Sequence, residues 1–233
     1  MNQSNFIEEL KKINIIIDEE KLSKLEKYYE LLIEYNRVMN LTGITEKEQV
    51  YLKHFYDSLT IYKVIDLNKI DNLCDIGTGA GFPGIVLKIL FPNLNVTLVD
   101  SLNKRINFLN VVIKELNLNN IETIHSRIED YGKLNREKFD VVTCRAVAPL
   151  NILLEYSIPI VKKDKFFIPL KGSLDNEPDT SNAIKKLDVI LEKKEEFLLP
   201  IENSRRTILV YKKLKNTNKK YPRKNLDIKQ KPL

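Results

Sequence analysis

No run of 18 apolar residues occurs in this 233-residue chain, and Glu8 and Glu9 stand where a secretion signal requires a basic and then an apolar segment. The expectation is therefore a cytoplasmic protein with no membrane partner. Cysteine is scarce too: Cys74 and Cys144 are the only two, each within a predicted buried strand. Ordinary core thiols explain them better than a disulfide or a metal site, so a reducing compartment and no metal are expected. Glycine is the third scarcity. There are 7 in all, yet Gly77, Gly79, Gly81 and Gly84 fall within eight residues, so a casual loop does not account for them. At this length, with 43% hydrophobic residues, one α/β domain with an appendage fits and two full domains do not.

The formal charge of +6 is unevenly spread. From Lys212 to Leu233 there are nine Lys/Arg and one acid, Asp227, while the preceding chain carries 29 basic and 31 acidic residues. A basic tail on a near-neutral body suits contact with a phosphate backbone, which releases counterions without reading sequence; a solvated end is the alternative.

The glycine cluster follows a short apolar run. Leu73, Cys74 and Ile76 read as a buried strand, the alternate glycines as a sharp turn, and Pro83 as the opening of a helix. Such a turn lets a ligand approach the main chain and suits an adenosine-bearing cofactor. Two fingerprints overlap here. Gly79-Ala80-Gly81-Phe82-Pro83-Gly84 satisfies a dinucleotide G-x-G-x-x-G, and Asp75-x-Gly77-x-Gly79-x-Gly81 satisfies the D-x-G-x-G-x-G of S-adenosylmethionine enzymes. A carboxylate beside a pyrophosphate is unhelpful, whereas a sulfonium and an ammonium favour one. Asp75 thus points to the methyl donor.

The first 66 residues read as helical. Between Asp18, a candidate N-cap, and Asn40, the residues Leu22, Leu25, Tyr29, Leu32 and Met39 form an apolar stripe. His54 and Asp57, three apart, share a helix face that can wall a polar pocket. From Asn72 the pattern alternates: strands at about Asn72 to Ile76, Asn95 to Asp100, Ile121 to His125, Phe139 to Arg145 and Lys165 to Leu170. Between them lie helices at Pro83 to Phe91, Asn103 to Leu116 and Leu150 to Val161. A further helix is expected from Asn182 to Leu191, with Phe197 to Leu199 and Thr207 to Tyr211 closing the sheet as an antiparallel pair. The expectation is a Rossmann-like α/β fold: a mostly parallel seven-stranded sheet, helices on both faces, preceded by a helical extension. The divisions are 1–66, 67–211 for the methyltransferase domain and 212–233 for the basic tail.

Ligands in such folds bind beyond the carboxyl ends of the strands. Asp100 ends the second strand, 23 residues after Gly77, where a carboxylate can accept from both ribose hydroxyls. Ile128 and Glu129 follow the third strand and can hold an adenine. Arg145 ends the fourth and points at the same crevice.

With these residues in place the chain resembles the RsmG (GidB) family, bacterial methyltransferases of guanine N7 in 16S ribosomal RNA. The resemblance rests on Tyr35-Asn36-Arg37-Val38 with Asn40-Leu41-Thr42, His54-x-x-Asp57-Ser58, the run from Asp75 to Gly84, Ser126-Arg127, Arg145-Ala146, Leu170-Lys171-Gly172 and Tyr221-Pro222-Arg223-Lys224. It implies S-adenosyl-L-methionine as cofactor, 16S ribosomal RNA within the small ribosomal subunit as partner, and a monomer. It places cofactor contacts on Gly77, Phe82, Ile128, Glu129 and Arg145. It also brings His54 and Asp57 to the active cleft. Tyr35 replaces the tryptophan common in the family, and the tail lacks the usual glycine-containing turn.

Guanine N7 carries an unshared pair, so its methylation by in-line displacement requires no general base, only positioning of the reactants. The roles expected are Asp75, Gly77, Gly79, Gly81 and Asp100 for the donor, Arg145 with His54 and Asp57 for the crevice where donor and base meet, and Lys171, Arg205, Arg206, Arg223 and Lys224 for RNA phosphates. A nucleotide-dependent oxidoreductase and a non-catalytic RNA-binding assembly factor are the competing readings.

Overall fold

Apolar residues at successive positions of the first strand serve two different cores. In β1 (Asn72–Ile76), Leu73 belongs to one buried cluster while Cys74 and Ile76 belong to the other, as the two-residue period of a strand requires when both faces are covered. The computed structural model describes residues 1–233. Its sheet comprises β1, β2 (Asn95–Asp100), β3 (Ile121–His125), β4 (Phe139–Arg145), β5 (Val161–Lys171), β6 (Val189–Leu198) and β7 (Arg205–Lys213), in spatial order β3-β2-β1-β4-β5-β7-β6. The first five strands in that order run parallel, and β7 pairs antiparallel with both β5 and β6. The chain reverses its direction of winding between β2 and β4, on either side of β1, and the crevice opens there.

One face is covered by the N-terminal helices. These are α1 (Gln3–Lys12), α2 (Glu19–Met39), α3 (Lys47–Val50), a π-helical stretch Tyr51–Tyr56 and α4 (Asp57–Leu59). Together with α5 (Gly84–Leu90) and α6 (Asn103–Glu115) they share a core of 42 buried residues with the sheet. Asp18 caps α2 by accepting from the Lys21 amide at 2.8 Å, and Asn40 ends it in the left-handed conformation. The buried residues of this helix are Leu25, Tyr28, Leu31 and Leu32. Tyr28, not Tyr29, occupies the inward position, three residues after Leu25 and four before Leu32.

The other face carries α7 (Ile128–Leu134), α8 (Leu150–Ser157), α9 (Ser181–Leu187) and α10 (Asn225–Gln230). Three elements depart from expectation. The helix expected to Leu191 stops at Leu187, because Asp188 turns left-handed (φ 52°) and the Lys/Glu-rich residues after it form β6, a solvated edge strand. β5 begins at Val161, four residues before the expected start, since Pro159 reduces the end of the preceding helix to a single 3-10 turn. The basic tail, for which a solvated end is the alternative reading, folds back on the body: Tyr221, Ile228 and Leu233 are buried in the second core. Arg136 clamps it by donating to the Thr217 and Tyr221 carbonyls, each at 2.5 Å.

Candidate active site

The turn from Ile76 into α5 is built on Asp75. This side chain is fully buried, and its Oδ2 accepts from the Thr78 hydroxyl at 2.7 Å and the Gly84 amide at 2.8 Å. Its Oδ1 has no partner, and burial raises the carboxyl to a pKa of about 7 against the pull of those two hydrogen bonds. Asp75 lines neither of the cavities described below. The expectation that it touches the donor is corrected: it staples the turn to the helix from beneath. Gly84 permits that staple, since a Cβ there would lie 2.3 Å from Leu98 Cδ2 and 2.9 Å from Asp75 Oδ2. Gly79 serves the opposite side. At φ +62° its missing side chain leaves open space, with nothing nearer than 4.0 Å, so the main chain is accessible to a ligand.

Two cavities flank the turn and meet at Gly77. One, of about 450 Å³, has Asp100, Ile128, Glu129 and Tyr156 in its wall, with Asn225 and Lys229 of α10 at its edge. Asp100 Oδ2 accepts from the Gly79 amide at 2.9 Å and from Arg105 at 3.2 Å, while Oδ1 accepts from Leu102 N at 2.9 Å. The other, of about 540 Å³, is bounded by Gly79, Phe82, His54, Arg145, Lys171 and Glu177. A molecule with an adenosine at one end and an amino acid at the other fits this pair. The first cavity offers a buried carboxylate and an apolar-polar wall for a nucleoside, and Gly79 leaves the main chain bare where the halves join.

Arg145 organises the second cavity. Its guanidinium donates to the Lys53 carbonyl at 2.9 Å and to Asp57 Oδ2 at 3.3 Å, meets His54 Nδ1 at 3.1 Å, and lies 5.3 Å over the Phe82 ring. Arginine only donates, so His54 Nδ1 accepts and its proton sits on Nε2, which reaches the Thr42 hydroxyl at 2.8 Å. Burial first, then the Arg145 charge, holds His54 down to a pKa of about 3. The imidazole is neutral, stacked on Phe82 with ring centres 4.4 Å apart. Asp57 is bound on its other oxygen by Arg206 Nε at 3.0 Å. Glu177 is bound by Lys171 at 2.5 Å and by the Leu150 amide at 2.8 Å.

The fold thus brings Gly77, Asp100, Ile128 and Glu129 to one cavity and Gly77, Gly79, Phe82, His54, Asp57, Arg145, Lys171 and Arg206 to the other. Gly81 faces inward, where a Cβ would meet the Tyr28 hydroxyl at 2.7 Å. Arg205 is exposed on the rim of a neighbouring recess, and Lys224 lies in a basic recess with Arg127, Lys133 and Lys229. Arg223 is corrected as a phosphate grip: its Nε and NH2 donate to both oxygens of Glu155, which is fully buried. Sequence reasoning missed Tyr28, whose hydroxyl donates to the Ala80 carbonyl, and Glu177, which lies in an irregular loop. The spacing of Tyr28 from Leu25 and Leu32 carried a signal; nothing local marks Glu177.

Comparison with known proteins bears on the family and the fold. The profile of the GidB family, described as rRNA small subunit methyltransferase G, matches residues 21–209. A protein of that name from Bacillus licheniformis is 50% identical over 96% of this chain and 95% of its own length. The Lysinibacillus sphaericus protein of that name is 47% identical over 96% of each chain. Among solved structures, a SAM dependent methyltransferase from Aquifex aeolicus shares the fold, with a TM-score of 0.53 at 14% identity, covering 74% of this chain and 96% of that one.

Proposed function

The chain belongs to the GidB family of rRNA small subunit methyltransferases, and on that premise we propose that it methylates N7 of one guanine in 16S ribosomal RNA. S-adenosylmethionine, the cofactor, supplies an electrophilic methyl group on a positively charged sulfur. Asp100 would accept from the ribose hydroxyls, and Ile128 and Glu129 would hold the adenine. Gly77 and Gly79 present the main chain, and Phe82 with Arg145 closes the side toward the target base.

The observation that carries the reading is the condition of the target cavity. Every imidazole and carboxylate in its wall is already paired: His54 with Arg145 and Thr42, Asp57 with Arg145 and Arg206, Glu177 with Lys171. None of these side chains stands without an ion-pair or hydrogen-bond partner. A nucleophile that must first lose a proton is poorly served here, and one with a ready lone pair, such as guanine N7, is well served. Catalysis then rests on alignment by a stiff wall. The Arg145 fork fixes His54, Phe82 and Asp57 relative to one another.

In this reading Arg205 and Lys224 would meet RNA phosphates, with Arg206 and Lys171 at the cleft itself. Action in the cytoplasm, as a monomer, is part of the proposal; the two buried free thiols support a reducing compartment. The test is transfer of labelled methyl to small subunits from a strain lacking this gene, with nuclease mapping. Label recovered as 7-methylguanine at one position supports the reading. Label elsewhere, or none despite cofactor binding, discards the substrate.

A further inference from the structure

Both purines present an N7 with a lone pair, so an enzyme that methylates only guanine needs a contact beyond N7 itself. The Watson-Crick side supplies the fullest contrast: guanine offers an acceptor (O6) next to two donors (N1–H and N2–H), while adenine offers a donor next to an acceptor. A complementary wall needs a donor beside a carboxylate.

The target cavity contains one such pair. Lys171 ends β5 and Glu177 lies on the loop after it; Nζ and Oε1 are 2.5 Å apart, and both side chains are largely withdrawn from water, at 11% and 17% exposure. Neither is saturated. Lys171 Nζ has three protons, gives one to the Ala148 carbonyl at 2.9 Å and is ion-paired with Glu177 Oε1. Glu177 accepts the Leu150 amide on Oε2, which leaves an open lone pair on each oxygen. One donor and two acceptor positions remain, side by side.

Their position in the sheet also suits the task. In the order β1-β4-β5 the glycine turn and Lys171 are two strands apart, about 10 Å at ordinary strand spacing. That span accommodates a purine with N7 toward the turn and its Watson-Crick edge toward Lys171. The other paired carboxylate of the cavity, Asp57, is held by an arginine on each oxygen and is the more deeply buried of the two, at 8% exposure.

We propose that Lys171 and Glu177 read the Watson-Crick edge of the target guanine, Lys171 donating to O6 and Glu177 accepting from N1–H and N2–H. The proposal rests on the guanine-N7 reading given above. It also revises the expected role of Lys171 from a phosphate contact to a base contact.

The experiment uses small subunits reconstituted with guanosine or inosine at the target position; inosine keeps N7, O6 and N1–H and lacks the N2 amino group. With the unaltered enzyme, kcat/KM is expected to fall about 10- to 100-fold on inosine. With Glu177→Gln, which retains an acceptor for the Leu150 amide, guanosine subunits should already show a loss of that size. Exchanging guanosine for inosine should then cost less than about 3-fold further, because the partner of the amino group is gone. Cofactor affinity of E177Q, measured alongside, should match that of the unaltered enzyme, which separates base reading from a defect of the fold. An equal inosine penalty in both enzymes, or full activity of E177Q on guanosine, overturns the proposal. Failure of the unaltered enzyme to methylate guanosine subunits overturns the guanine-N7 reading instead.

Discussion

Replacing Arg223 by methionine separates a structural strap from a phosphate grip. Glu155 lies on α8 with no exposed surface, and it accepts from three groups of Arg223: from the amide at 2.9 Å, from Nε at 2.8 and 3.2 Å, one to each oxygen, and from NH2 at 2.6 Å. Arg223→Met removes the two charged donors and leaves a buried carboxylate facing a single amide. Removing one partner of a buried pair costs about 3–5 kcal/mol, a large share of the roughly 5–15 kcal/mol that holds a domain folded. For a chain of this size that corresponds to a fall in thermal midpoint of about 6–20 °C. Circular dichroism on heating, and urea titration at fixed pH, measure it. The double variant Glu155→Leu with Arg223→Met, which buries no charge, should recover most of the loss. Cofactor affinity should weaken in R223M as well, because α10, just beyond Arg223, supplies Asn225 and Lys229 to the adenosine cavity, and Asn225 Oδ1 accepts from the Tyr156 hydroxyl at 2.8 Å. A midpoint unchanged within about 1 °C, together with weaker binding of small subunits and a shallower salt dependence, would refute the strap and restore the phosphate contact.

Three further outcomes are expected. Asp75 binds its proton at about pH 7 when folded against 3.8 as a free side chain, so its contribution to stability declines as pH rises from about 4 to 7, by about 1.4 kcal/mol per unit. Asp75→Asn should flatten that limb in urea titrations while weakening cofactor binding, and an unchanged slope refutes the assignment. His54 behaves oppositely: with a pKa near 3 when folded and 6.5 otherwise, the unfolded chain gains a proton first, and stability drops as pH falls below about 6.5 at a similar slope. His54→Gln should lose that acid dependence, and its methyl-transfer rate should be as flat between pH 6.5 and 8 as the unaltered enzyme's; a rate that titrates with His54 refutes the base-free cavity. Arg145→Ala should lower kcat at least about 10-fold by releasing His54, Phe82 and Asp57 together, and full activity with unchanged cofactor affinity in a methyl-transfer assay removes Arg145 from the site.

The strands β1, β2 and β4 were legible in the sequence for a physical reason. Val141, Val142 and Cys144, like Leu73, Cys74 and Ile76, are buried on both faces of a parallel sheet, and such strands read as unbroken apolar runs ended by glycine or a charged residue. β6 has the opposite character. Its Lys and Glu residues face water, the pairing with β7 is main-chain, and no side-chain period distinguishes it from an exposed helix. The glycine turn, Asp100 and Arg145 were legible because strand ends locate ligands. What each group touches was not. Charge alone cannot tell whether Arg223 meets an RNA phosphate or a buried Glu155 sixty-eight residues away, and a carboxylate next to a glycine turn, as in Asp75, can serve the cofactor directly or brace the turn that holds it. Those distinctions depend on long-range packing, which local pattern does not encode.

The contact between Tyr28 and the Ala80 carbonyl joins residues 52 apart in the chain, and the same ring lies 5.6 Å from Phe55 and 5.4 Å from Phe82. A helix laid down before the sheet therefore sets how stiff the glycine turn is. Linkage between the two is reciprocal. Whatever tightening of the turn improves the grip on a ligand, the ligand returns as tightening of α2, without any atom of it touching that helix. Substitutions on the inner face of α2 are then felt as changes in affinity at a site they do not line, and the helix and the turn can drift in sequence only as a pair.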